Sequence, residues 1–219
     1  MQRSTTDVAA VRDVSRNGAD VVLLALVLLG GALAATCAAG GPGSRASVAL
    51  VVERISAPAD GAAGDANRTF VESDVATGAT VVQDTAHATL RLVAKDPAAP
   101  VGPTAPSGGR FATIDRYRVR YVRSDGRNAP GIDVPHPWDG ALTLAPSFEG
   151  ETGEFVLVRA SAKLDPPLVT LRAGGGDVVI NTLAYVTFYG RDHGGARLEA
   201  TGAISVVFAD WADAEPAPR

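Results

Sequence analysis

Arg191-Asp192-His193-Gly194-Gly195 is the tightest cluster of chemistry-bearing side chains in the chain. A carboxylate beside an imidazole is the pair that general acid–base catalysis or a metal ion would use. Consecutive strand residues point to opposite faces, however, and Asp followed by two glycines is turn chemistry, so the pair reads as a hairpin turn. His87, His136 and His193 are the only histidines, and none stands in an HxH or HExxH spacing. His87 reads as an outward strand residue, and His136 sits between prolines in a loop. Asp125, Asp139 and Asp192 lack the DxDxDG spacing of a calcium loop. No GxSxG marks a nucleophile, and the glycine runs at 108–109 and 174–176 lack the Lys-Ser/Thr of a phosphate-binding loop. The expectation is therefore a non-enzymatic protein with no catalytic residue, no cofactor and no metal.

Arg116, Arg118 and Arg120 in "IDRYRVRYVRS" are the most distinctive surface feature. Alternate strand residues lie ~6.6–6.8 Å apart on one face, so three guanidiniums would span roughly 13 Å. Such a stripe can grip carboxylates or phosphates of an acidic ligand or partner. Its structural alternative is pairing with acids on neighbouring strands, or blunting a sheet edge against aggregation. Trp138 and Trp211 are the only tryptophans and aromatics make up 5% of the chain, which is poor material for a sugar-stacking platform.

The lone cysteine, Cys37, follows the most apolar stretch, "VVLLALVLL" at residues 21–29. That run has the length of a signal-peptide h-region. Three fates are open: a signal-peptidase cut after Ala34, lipidation of Cys37, or an uncut anchor across residues 21–39. Leu33-Ala34-Ala35-Thr36-Cys37 resembles the lipobox of bacterial lipoproteins, with its Leu one place further upstream. That resemblance implies a diacylglycerol on Cys37 and attachment to a membrane. The tract after it, "AAGGPGSRAS", has the small, flexible composition of a tether. One cysteine also excludes an internal disulfide.

The elements that must position these residues are strands. Alternation of period two runs through 47–55, 88–94, 114–124, 177–190 and 196–210, with shorter candidates at 69–75, 140–144 and 153–160. Val48, Leu50 and Val52 share one face, as do Ala88, Leu90 and Leu92, then Tyr117, Val119 and Tyr121, then Val178, Ile180, Ala184, Val186 and Phe188, then Leu198, Ala200, Ile204, Val206 and Phe208. Seven or eight strands with one dry face need a cover, and no long amphipathic helix supplies it. The expected fold is all-β, a single antiparallel β-sandwich; a closed barrel would share the strand pattern. "LDPPLVTLRAGGG" predicts a short crossover helix with Asp165 as N-cap, Pro166 at its first position and Gly174 as its stop. The predicted organisation is a signal or anchor at 1–36, a tether at 37–46, the β-domain at 47–212 and a disordered tail at 213–219.

With 24 glycines, 14 prolines, 46% hydrophobic and 20% charged residues, the body is globular and turn-rich. The leader's Arg3, Arg12 and Arg16 balance Asp7, Asp13 and Asp20, so the body carries the whole net charge of −4. A mildly acidic body argues against nucleic acid as a partner, which needs a concentrated positive field. "VTFYGRDHGGARLEATGAISVVFAD" resembles the closing strand pair of immunoglobulin-like and fibronectin-III-like modules of bacterial envelope proteins. With the leader, the whole resembles uncharacterised bacterial families of exported proteins and lipoproteins built on such a sandwich. The resemblance implies a structural or protein-interaction module of the cell envelope, with a periplasmic or secreted ligand- or glycan-binding module as the alternative. A hydrolase assembled from scattered residues is a third reading.

Overall fold

The computed structural model describes residues 46–58, 68–96, 98, 111–172 and 179–211. The chain divides into two compact units, Met1–Ser44 and Arg45–Arg219, and every described residue belongs to the second. Cys37 and its leader, the glycines at 108–109 and 174–176, Val178, and the tail at 213–219 lie outside the described residues.

The second unit is all-β, with two sheets and a sheet curled toward a half-barrel. Its strands are β1 (Val48–Ser56), β2 (Phe70–Asp74), β3 (Asp84–Ala94), β4 (Ala112–Val122), β5 (Trp138–Leu144), β6 (Glu151–Val158), β7 (Val179–Asp192) and β8 (Arg197–Ala209). One sheet has the order β1-β3-β6 and the other β2-β8-β7-β4-β5. Every neighbouring pair is antiparallel except β2 with β8, which run parallel.

Period-two alternation explains why these segments are strands. Ala86, Ala88, Leu90 and Leu92 of β3 are fully buried, and so are Val119 of β4, Ala184, Val186 and Phe188 of β7, and Val206 and Phe208 of β8. These side chains form one hydrophobic cluster fed by both sheets. Burial of each large aliphatic or aromatic group contributes about 1.5–3 kcal/mol. Tyr117 sits at its centre, edge-on to Trp138 (5.4 Å between centroids) and to Phe155 (5.1 Å). Its hydroxyl donates to the Val156 carbonyl at 3.0 Å, and the Tyr121 hydroxyl donates to the Leu157 carbonyl at 2.7 Å. Two phenols of β4 thus reach across the core to β6 and satisfy their polar ends there. Burial pushes both phenols above the ordinary tyrosine range.

Two details depart from simple alternation. In β1 the register slips between Val52 and Arg54, so that Val52 is half-buried while Ile55 returns to the core. In β4 it slips between Ile114 and Arg116, and this bulge turns both Asp115 and Arg116 outward.

The helical expectation needs correction. The β6–β7 connection, which passes from the small sheet to the large one, holds a 3-10 turn at Ala160–Leu164 and one α-turn, α1, at Leu168–Leu171. Helix α1 starts two residues later than expected, with Pro167 rather than Asp165 at its cap and no side-chain capping bond. Pro166 therefore precedes the helix instead of opening it, and the Pro166–Pro167 peptide is cis. Gly174, the expected stop, is outside the described residues. What anchors this connection is Lys163, 1% exposed, whose Nζ donates to the Asp74 carbonyl at 2.7 Å and to Asp84 Oδ1 at 3.0 Å. Ser73 Oγ donates to the other Asp84 oxygen at 2.5 Å. A buried ammonium is tolerable only with such partners.

Candidate functional site: an arginine face

Arg116, Arg118 and Arg120 alternate with the buried Tyr117, Val119 and Tyr121, so all three project from the outer face of the large sheet. Cross-strand register fixes their neighbours. Arg118 stands opposite Asp139 of β5 and Thr187 of β7, Arg116 opposite Tyr189, and Arg120 opposite Tyr185. Arg116 and Arg118 share the Asp139 carboxylate, at 3.5 and 3.6 Å. The Arg116 guanidinium lies over the Tyr189 ring, 4.2 Å from its centroid, and that of Arg120 lies 5.3 Å from the Tyr185 centroid. Of the structural alternatives, pairing with an acid on a neighbouring strand is present for Arg116 and Arg118, whereas edge protection does not apply because β4 lies between β7 and β5; the guanidiniums remain exposed. Exposed pairs of this kind add only about 0–1 kcal/mol. Stacking Arg116 and Arg120 on rings limits their motion and leaves N–H groups in the guanidinium plane for an oxygen ligand, one of which Arg116 already directs to Asp139.

The same face continues across β7 and β8. Arg191 and Arg197 are directly opposite each other at the start of the β7–β8 hairpin, and Tyr189 is opposite Glu199. With Arg116 they line an open concavity of about 620 Å³ that also includes Asp115, Tyr189 and Glu199. Sequence reasoning missed Arg191 and Arg197 as members of this face. The signal was present in their odd-numbered alternation with Asp192 and Leu198, but joining them to β4 needs the hairpin register.

The other candidates fall in separate places. Asp192 is buried, and its carboxylate accepts the Ala196 N–H at 2.8 Å while its carbonyl accepts the Gly195 N–H at 2.9 Å. Gly195 closes that turn at φ +82°. His193 is exposed beside it, His136 is exposed in its loop, and His87 is half-buried on the outward side of β3. Asp125 accepts from Arg123 Nη2 at 2.6 Å and from the Arg127 backbone N–H at 3.0 Å. The Arg123 guanidinium, foremost, holds its carboxyl below the usual range. Arg127 pairs with Asp133, which also accepts the Ala129 N–H, so the 123–134 loop is knitted by its own charges. Among the described residues no three His, Cys, Asp or Glu side chains gather as a metal set. Trp138 is buried under Arg159, whose guanidinium is 4.9 Å from the indole centroid. Trp211 is 40% exposed, and its backbone N–H donates to Asp74 at 3.2 Å.

Comparison of the chain with family models, with curated proteins and with solved structures returned no match.

Proposed function

We propose that this chain is an exported, lipid-anchored, non-enzymatic β-sandwich of the bacterial envelope that acts as a protein-interaction module through its arginine face. The observation that carries the reading is local charge. An acidic protein, −4 overall, presents Arg116, Arg118, Arg120, Arg191 and Arg197 on one sheet face against Asp115, Asp139 and Glu199. A basic face on an acidic body orients the molecule toward an acidic partner surface and speeds encounter. Nucleic acid is not the proposed partner.

The immunoglobulin-like form of the sandwich is supported by strand order. Taken in chain sequence, β1-β3-β6 follows the A-B-E order of such domains, and β8-β7-β4-β5 follows G-F-C-C′. The Tyr117 cluster is built on β4, which corresponds in this order to strand C, where antibody domains carry a tryptophan against a disulfide. Anchorage to the membrane rests on the leader and on Cys37.

Capture of the partner from envelope extracts, followed by titration with the purified pair, tests the function. Arg118→Glu reverses the central charge of the stripe and should weaken binding at least tenfold, with the circular dichroism spectrum unchanged. Affinity that is unchanged in this variant, or a reproducible turnover activity without any partner, would reject the reading.

The ligand-binding alternative is favoured by one observation, the concavity beside Arg116. Its glycan form is the weaker one, because the Tyr185 and Tyr189 rings that could stack a sugar are already covered by guanidiniums.

A further inference from the structure

We propose that the concavity between β4, β7 and β8 binds a phosphoryl group carried on a polyol. Arg191 and Arg197 face each other directly across the β7–β8 hairpin, and among the described residues neither has a carboxylate within ion-pair distance. Like charges directly opposite on antiparallel strands are unfavourable, and an anion seated between them removes that repulsion. Arg116 enters from the third strand, turned outward by the β4 bulge and held over Tyr189. Arg191 is steadied from the other side, where its Nη1 donates to the Gly195 carbonyl at 3.2 Å.

Three guanidiniums around one opening match the three terminal oxygens of a phosphate monoester better than the two of a carboxylate. The two acids of the lining then assign the rest of the ligand. Asp115 and Glu199 reduce the local charge to a single net positive, which disfavours a bulk polyanion. Both can accept hydrogen bonds from hydroxyl groups of the carrier. A volume of about 620 Å³ admits a glycerol or sugar phosphate. The same headgroup chemistry occurs on a soluble phosphopolyol and on a phospholipid. The inference rests on the reading of the outer face as a binding surface, but it does not use Arg118; Arg116 takes part while one of its nitrogens lies 3.5 Å from Asp139.

Calorimetric titration of the full chain in detergent, at low ionic strength, with glycerol phosphate is the test. Saturable binding is expected, stronger than for inorganic phosphate and absent for glycerol. Arg191→Gln and Arg197→Gln should each weaken it about tenfold, while Arg68→Gln, on the distant β2 side, should change nothing. Should a glutamine variant fold poorly, Arg197→Lys keeps the charge, loses the bidentate fork and should bind detectably but more weakly. A short-chain phosphatidic acid that binds more tightly than glycerol phosphate assigns the source to lipid; equal affinity assigns it to a soluble ester. No saturable heat up to about 10 mM ligand, or affinity unchanged in the Arg191 and Arg197 variants, overturns the proposal. Loss of phosphate binding alone would leave the Arg118-dependent interaction standing, and Arg118→Glu titrations against the protein partner separate the two failures.

Discussion

Tyr117 and Tyr121 show how single side chains connect the sheets and what this costs in alkali. Each phenol is buried and donates to a β6 carbonyl, so its ionised form is disfavoured in the native state. In the unfolded chain both titrate near the ordinary value of about 10. Their contribution to stability is therefore complete below pH ~10 and is lost as pH rises through the raised native values, because the unfolded chain gives up protons that the native one retains. Alkaline unfolding followed at 295 nm should show these two phenols ionising together with loss of the fold. Tyr121→Phe should flatten the alkaline limb while lowering neutral-pH stability by about 1 kcal/mol, since the Leu157 carbonyl loses its donor. A phenol population that titrates fully near pH 10 without unfolding would contradict this. Lys163 marks the opposite limit of sequence reading. It was visible only as one of two lysines in an arginine-rich chain, because its partners Asp74 and Asp84 lie on strands about 80–90 residues earlier, brought there only by the fold.

At the scale of elements, alternation was legible wherever a strand has one wet and one dry face. "ATLRLVA" and "AISVVFAD" reveal their buried side chains without any structure, and the eight candidate segments coincide with the eight strands among the described residues. The β4 bulge was legible only as a change of phase. "FATIDRYRVRY" alternates on both sides of the slip, and the two consecutive charges Asp115 and Arg116 mark the change of phase, but the cross-strand register at which it occurs needs the neighbouring strands. The parallel pairing of β2 with β8 was hidden for the same reason, since strand patterns carry faces but not neighbours. The positions of Asp165 and Pro166 predict a helix start, yet both residues stand before α1. Gly190 is where the bulge and the arginine face meet. A Cβ there would press into the Thr113 carbonyl and the Ile114 backbone of β4. Gly190→Ala should therefore destabilise the protein by about 1–3 kcal/mol, read as a lower urea midpoint. Hydrogen exchange should quicken first in β4 and β7, and a stability equal to the parent's would show that the strands are not so closely apposed.

For the whole molecule, the Arg45–Arg219 unit combines an acidic overall charge with one basic face, and the preceding segment combines an apolar run with a lone cysteine. The face was half legible: its β4 stripe follows from spacing alone, whereas the β7–β8 arginines that complete it depend on hairpin register. The envelope assignment is entirely a matter of sequence, since Cys37 and its leader lie outside the described residues. Anchoring one end of such a unit would leave a broad sheet face to meet an acidic partner, and this joint arrangement is the core of the proposed function. Intact mass spectrometry of the mature chain from membrane and soluble fractions tests that most directly. The proposal predicts a chain that begins at Cys37, carries a diacylglyceryl group and is recovered from the membrane. An uncut chain with an unmodified Cys37, recovered from the soluble fraction, would contradict it.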